Sequence, residues 1–452
     1  MTSESAYQEA LDYIYSFVDF SLTRALRYSP EKFNLQRMES LLARLGNPQL
    51  QYPVIHITGT KGKGSVTALC ASALKAAGYR TGCYTSPHLQ DFSERIQVNG
   101  DLISHENLVE LVNVVKTHVP EIPEITTFEL TTAIAFLYFA RFPVNIAVIE
   151  VGLGGRLDAT NLVQPTVAVI TSISYDHMAI LGDTLAKIAE EKAGIIKNGR
   201  PVVLSPQKDE AREVIERIAR ERSADIYQVG RDFMYKAETH NLEGQSFRVW
   251  KAGMNDPHTL FSLPLLGMHQ VENASTAYAA LSVLRQLGIK INDQDIQAWF
   301  ACAVWPGRFE LLNKEPYLVV DSAHNRDSAL RLRQAVDDYF PGRSIRLIFG
   351  ASEDKDITGM YEELLPRVQQ LVTTQSTHPR AASAGYLAEL AKSYNIPIAI
   401  YPQVEQALEH AMSQAEINGV VLATGSLFIA AAVRDVWPAI KTARFKETTN
   451  EK

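Results

Sequence analysis

Apolar positions in this 452-residue chain switch between two spacings. Short unbroken runs alternate with stretches in which apolar residues recur every three or four positions. The run at 54–58 is followed by Val66, Leu69, Ala73 and Ala77 at helical spacing, with Gly78 as a stop. Further strands are expected at 80–85, 146–151, 167–171 and 201–204, and helices at 108–115, 128–139 and from Asp183 through Ile188 towards Gly194. From 227 to 265 the pattern turns to hairpins, with a turn at Asn241-Leu242-Glu243-Gly244. A second strand–helix series places strands at 317–321, 345–349, 370–373, 398–401 and 420–423. Such alternation predicts an α/β protein: a mainly parallel sheet with helices on both faces and a small antiparallel addition, then a doubly wound, Rossmann-like C-terminal domain. Val304-Trp305-Pro306-Gly307 reads as the linker, giving domains 1–304 and 305–452, with a ligand cleft expected between them.

Composition narrows the class. At 46% hydrophobic and 21% charged residues the chain is an ordinary globular protein, and its length calls for more than one core. A net charge of −7 argues against a nucleic-acid partner, which calls for a basic domain or stripe. Cys70, Cys83 and Cys302 lack metal-site or disulfide-framework spacing and suit a reducing, cytoplasmic setting. The first twenty residues show no cationic segment leading into an apolar one, so no signal peptide is expected. The apolar stretch at 131–139 is cut by Arg141, short of the ~20 residues of a membrane span.

The strongest chemical signal is 54–65, VIHITGTKGKGS. A strand that ends in a glycine- and lysine-rich loop and passes into a helix presents backbone N–H groups and a lysine to an anion, most often a nucleotide phosphate. The spacing departs from G-x-x-x-x-G-K-[ST], because only Thr60 and Lys61 separate Gly59 from Gly62-Lys63, and Gly64 precedes Ser65. A plain glycine-rich turn is the alternative. In the phosphate reading Lys63 neutralises the outer phosphates and the Ser65 hydroxyl faces phosphate or Mg²⁺.

Other candidates sit at strand ends. Glu150 closes an apolar run and precedes GLGGRLDATN; it is placed either to hold Mg²⁺ or to cap the next segment. His177, in ISYDH, is a structural histidine or part of the same sheet edge. Lys192 follows two acids on a helix, which by spacing alone describes a solvated, paired lysine. Asp321, beside His324 and Asn325, is suited to a ribose hydroxyl or to a helix cap, and Arg308 to phosphate or a surface ion pair.

Taken together, TGTKGKGS, YTSPHL (84–89), EVGLGGRLDATN (150–161), YDH (175–177), EKAGIIK (191–197), HQVENA (269–274), PGRFE (306–310), DSAHN (321–325) and TGSLF (424–428) resemble the folylpolyglutamate synthase and dihydrofolate synthase family, in its order and along nearly the whole chain. The resemblance implies an ATP-dependent ligase. ATP phosphorylates a carboxylate of dihydropteroate or of a folate glutamate, and the amine of L-glutamate attacks the acyl phosphate.

By motif position, the resemblance assigns Gly59, Thr60, Gly62, Lys63, Gly64, Ser65, Asn273, Arg308 and Asp321 to ATP. It assigns Ser86, Glu150, His177 and Lys192 to Mg²⁺, with Lys192 carbamylated. Phe128, Glu129, Asp158 and Ala159 fall to the pteroate, and Lys63, Lys192 and His324 to catalysis. A monomer working on small molecules is implied. Lys61 stands where the family usually has asparagine, and Ser322 where it often has glycine. A Mur-type cell-wall ligase shares this chemistry, but the 58 residues before Gly59 are expected to be too few for its UDP-substrate domain. A P-loop switch that hydrolyses nucleotide without ligation is the alternative from another class.

Overall fold

The computed structural model describes residues 3–18, 34–253 and 259–450. Two compact units emerge: one of Met1–Thr239, Ser246–Pro264 and His269–Ala303, the other of His240–Gln245, Leu265–Met268 and Val304–Lys452. The hairpin tip at 240–245 and the 265–268 segment thus group with the C-terminal unit, where the sequence pattern had assigned them to the first domain.

The first unit is built on an eight-stranded sheet. Its strands are β1 (Val54–Thr58), β2 (Thr81–Tyr84), β3 (Ile96–Val98), β4 (Asp101–Leu102), β5 (Ile146–Glu150), β6 (Val167–Ile170), β7 (Val202–Leu204) and β8 (Ile226–Gln228), in the spatial order β4-β3-β2-β5-β1-β6-β7-β8. β1 runs parallel to β5 and β6 at its centre, while β3 and β4 form an antiparallel edge that the hydrophobic pattern did not reveal. β8 continues the parallel set beside β7 rather than opening the hairpin region. β9 (Phe233–Asn241), β10 (Gly244–Lys251) and β11 (Leu260–Leu263) form a separate three-stranded sheet. Asn241 Oδ1 accepts the N–H groups of Glu243 and Gly244 in the turn.

Helices cover both faces. On one, Leu130, Ile134 and Phe136 of the helix Thr127–Arg141 pack with Tyr84, Ala147 and Ile149. On the other, Ile188 and Ile215 pack on Ala168, Ile170, Val202 and Leu204. Each fully buried aliphatic or aromatic side chain contributes about 1.5–3 kcal/mol, so this two-sided burial fixes the sheet and its carboxyl edge. Helix boundaries follow local chemistry. Thr126 and Glu129 form a capping box at the start of Thr127–Arg141. Gly78, at φ +87°, ends Lys63–Ala76 in a Schellman motif, with Gly78 N–H on the Lys75 carbonyl and Tyr79 N–H on that of Leu74.

The second unit carries β12 (Glu310–Lys314), β13 (Tyr317–Val320), β14 (Ile345–Phe349), β15 (Gln370–Thr373), β16 (Ile398–Ile400) and β17 (Val420–Thr424), ordered β12-β13-β17-β14-β15-β16. Only β12 is antiparallel, and apolar clusters fill both faces, as in a doubly wound sheet. Among the described residues no helix is long and apolar enough to cross a membrane. All three cysteines are free thiols, Cys70 and Cys83 buried and Cys302 exposed.

Candidate functional site

β1 hands the chain to a loop whose shape depends on two glycines. Gly59 sits at φ +153°, and a Cβ there would lie 1.8 Å from Thr171 Oγ1. Gly62, at φ +88°, would put one 2.2 Å from Asn273 Oδ1. Gly62 caps the helix Lys63–Ala76 without any capping side chain, so the first-turn N–H groups of Lys63, Gly64 and Ser65 form a positive helix end suited to an anion. Thr60 is anchored within the protein. Its N–H and that of Lys61 both reach the Ser172 carbonyl, at 2.9 and 3.2 Å, and its hydroxyl exchanges bonds with Ser174 backbone groups. Thr60 therefore bolts the loop to the segment after β6.

Lys192 lies against this loop. It is buried on the helix Leu185–Ala193, with Nζ donating to the Gly59 carbonyl at 2.8 Å. The solvated, acid-paired lysine suggested by spacing is thereby corrected: the side chain points inward, and the preceding acid Glu191 pairs with Arg156 instead. Burial, reinforced by Lys63 and Lys61 and opposed by Asp176 and Asp158, lowers its amine pKa to about 7. Small residues and one arginine hold the helix end. A Cβ on Gly155 would come within 2.9 Å of the Glu191 and Lys192 carbonyls, and one on Gly194 within 2.4 Å of Arg156 Cβ. Arg222 Nη1 donates to the carbonyls of Ala193, Gly194 and Ile196.

Glu150 is buried at the end of β5, level with Ile57 of β1, and its Oε2 accepts the Ser86 N–H at 3.2 Å. His177 is exposed, at φ +47°, with Nε2 3.9 Å from Asp176 Oδ1. Among the described residues no three His, Cys, Asp or Glu side chains cluster as a metal site. Of the residues expected at Mg²⁺, the structure brings Ser86 and Glu150 together through the bond from the Ser86 N–H, and the Glu150 carboxylate is a hard oxygen donor of the kind the ion takes.

The residues expected at the pteroate divide. Phe128 lies over the 152–155 turn, its Cζ 2.5 Å from where a Gly152 Cβ would stand, and its ring 6.4 Å from that of Tyr84. Glu129 is turned into its own helix start. Oε2 accepts Thr126 N–H (2.8 Å) and Oγ1 (2.9 Å), and Arg37 Nε approaches Oε1 at 3.2 Å. Asp158 likewise holds its own loop, accepting Leu153 N–H at 2.9 Å and the N–H and hydroxyl of Thr160 at 2.9 and 2.5 Å; burial raises its pKa. Ala159 is buried at the start of the turn Ala159–Leu162.

Two residues that the sequence did not single out join the β1 end to this loop. Thr58 Oγ1 donates to the Gly154 carbonyl at 2.6 Å, and His56 Nε2 meets Thr160 Oγ1 at 2.9 Å. Burial, with Lys197 adding to it, holds the His56 pKa at about 3. The only trace of these roles in the sequence is a polar residue inside an apolar run.

In the C-terminal unit Asp321 follows β13. Its Oδ2 accepts Phe309 N–H and its Oδ1 accepts Ala323 N–H, both at 2.8 Å, so the carboxylate ties the 307–309 turn to the strand end. Arg308 lies within that turn, between Gly307 (φ +72°) and Phe309 (φ +44°). Capping of the helix Arg326–Tyr339 falls to Asn325, boxed with Ser328, and not to Asp321. His324 Nδ1 sits 2.9 Å from the Ser322 carbonyl.

Two domain models match the chain: the Mur ligase middle domain over residues 57–281 and the Mur ligase, glutamate ligase domain over 307–427. With a phosphate loop in the first and a doubly wound sheet in the second, the fold and site define a Mur-type ATP-dependent ligase. Dihydrofolate synthase/folylpolyglutamate synthase of Bacillus subtilis (strain 168) is 37% identical over 440 residues, 95% of this chain and 99% of that protein. The crystal structure of Mycobacterium tuberculosis folylpolyglutamate synthase complexed with ADP and AMPPCP superposes with a TM-score of 0.86 at 31% identity, covering 96% of this chain and 98% of that one. E. coli FolC in complex with DHPP and ADP gives 0.84 at 30% identity, covering 96% and 98%. The chain belongs to the dihydrofolate synthase/folylpolyglutamate synthase family, ATP-dependent ligases of folate metabolism.

Proposed function

We propose that this enzyme joins L-glutamate to dihydropteroate, to the γ-carboxyl of reduced folate glutamates, or to both, through an acyl phosphate. The observation that carries the reading is the buried Lys192 amine on the Gly59 carbonyl, at the mouth of a helix start fit for phosphate. The N–H groups of 63–65 and the Lys63 ammonium bind and orient the outer phosphates for in-line transfer to the carboxylate. Ser86, Glu150 and His177 would hold Mg²⁺, which when bound supplies charge neutralisation to the phosphates. Lys192, with an amine neutral enough to capture CO₂, becomes an anionic carbamate on the same side. Phe128 offers an aromatic face to the pteroate, and Asn273 steadies the loop at Gly62. Arg308, Asp321 and His324 are assigned to nucleotide and acyl transfer by motif position.

The free amine of glutamate cannot displace an unactivated carboxylate oxygen, so the acyl phosphate forms first with release of ADP. The amine then displaces phosphate from it, and water has to be kept from that intermediate. A test separates a ligase from a nucleotide switch. ADP release by purified protein with ATP and Mg²⁺ is expected to rise sharply only when glutamate and a pteroate or reduced folate are both present. ATP hydrolysis indifferent to them would refute the ligase reading.

A further inference from the structure

The phosphate loop contains two lysines, and the structure separates their tasks. Lys63 opens the helix at its uncapped end. Lys61 is held by the segment after β6: its N–H reaches the Ser172 carbonyl at 3.2 Å, and its Nζ lies 3.4 Å from Asp176 Oδ2. Both side chains of this pair are largely buried, at 15% and 11% exposure, unlike the surface pairs of the chain. The other oxygen of the same carboxylate, Oδ1, accepts the His177 N–H at 3.0 Å and stands 3.9 Å from the His177 ring. His177 has φ +47°, a left-handed conformation that a non-glycine residue keeps only where its surroundings hold it. Lys61, Asp176 and the His177 backbone are thus linked in series, alongside the Thr60 bonds to Ser172 and Ser174.

We propose that the Lys61–Asp176 pair is a latch that fastens the segment bearing His177 to the phosphate loop, making Lys61 a positioning residue for the divalent cation and not a phosphate ligand. The inference rests on the nucleotide reading above and deepens it. A partly buried pair suits this task, because removing one partner takes a 3.4 Å ion pair from the other in a poorly solvated place. Lys61 then acts through Asp176, and its effect on nucleotide appears only where the cation contributes.

The test is calorimetric binding of ADP to the full chain, with Mg²⁺ and with EDTA, for Lys61→Met, Lys61→Arg, Asp176→Asn and the Lys61→Met/Asp176→Asn double variant, with thermal melting as the check on folding. Expected is an approximately tenfold weakening of Mg²⁺-dependent ADP binding in each single charge-removing variant, with the double no worse than either, since the two residues act as one element. Lys61→Arg, which keeps the pair, retains wild-type affinity, and ADP binding in EDTA is the same for all variants that fold. If Lys61→Met weakens ADP equally with and without Mg²⁺ while Asp176→Asn tightens it, Lys61 is a phosphate ligand and the latch is refuted. Unchanged binding in every variant refutes it as well. Wild-type protein that binds no ADP would instead overturn the nucleotide reading beneath it.

Discussion

Lys192 gives the account its most quantitative test. An ordinary lysine amine, with a pKa near 10.4, is neutral in roughly one molecule in 800 at pH 7.5. With the pKa lowered to about 7 by burial and by Lys63 and Lys61, roughly three-quarters of Lys192 amines are neutral at that pH. The form able to capture CO₂ is therefore enriched about 600-fold over a surface lysine, by the same arithmetic. Carbamate formation joins the amine nitrogen to CO₂ carbon and releases one proton. Lys192→Ala should then lose ligase activity by ~100-fold, as loss of a group near the metal commonly does, with small carboxylates restoring part of it. Protein equilibrated with ¹³C-bicarbonate should show a carbamate resonance that the alanine variant lacks.

The same shift acts on stability, with a definite sign. A lysine whose folded pKa lies below its unfolded one destabilises the fold fully below about pH 7, where both states are protonated. The cost is released as pH rises from about 7 towards 10.5. In CO₂-free buffer, Lys192→Met should therefore stabilise the protein more at pH 6 than at pH 9, by about 3 kcal/mol in urea unfolding. A fully active alanine variant, or a methionine variant whose effect is independent of pH, would refute the reasoning.

Three further outcomes follow from the geometry. Glu150→Gln keeps an acceptor for the Ser86 N–H but removes the charge, so ligation should fall at least ~100-fold at limiting Mg²⁺ while the melting temperature holds; near-normal activity would remove Glu150 from the metal site. Gly62→Ala would force a Cβ to within 2.2 Å of Asn273 Oδ1. It should cost roughly 1–3 kcal/mol in chemical unfolding, part of it recovered in Gly62→Ala/Asn273→Ala, and strictly additive effects would deny the close approach. His56, neutral in the fold with a pKa of about 3, binds its proton only on unfolding. Stability should fall by up to about 1.4 kcal/mol per pH unit as pH drops from 6.5 towards 3, and His56→Asn should flatten that decline.

The alternation of spacings was enough to read the two strand–helix series, because parallel strands buried on both faces are unbroken apolar runs and their helices keep a 3.6-residue period. β3 and β4 escaped because Ile96–Val98 and Asp101–Leu102 are too short to show a period of two. The site was legible as motifs and less so as contacts. Thr126-x-x-Glu129 carries a capping-box signature that accounts for the bonds Glu129 makes within its own helix start, and Asn325-x-x-Ser328 similarly identifies the helix cap beside Asp321. The burial of Lys192 has a local signal: Ile188 and Ala189, at i−4 and i−3, place it on the apolar face of its helix, while the two acids that suggest a solvated lysine stand at i−1 and i−2. The docking of Gly155 and Gly194 against each other's elements closes that face. Nothing in the spacing of Lys61 and Asp176, far apart in the chain, predicts their pairing.

The most direct measurement offers purified protein ATP, Mg²⁺ and L-glutamate, with dihydropteroate and tetrahydrofolate in separate reactions, and weighs the products by mass spectrometry while counting ADP. The account predicts that at least one of the two acceptors gains the mass of one glutamyl unit, with one ADP formed per unit added. No mass gain on either acceptor, with ADP appearing at the same rate whether or not an acceptor is present, would contradict it.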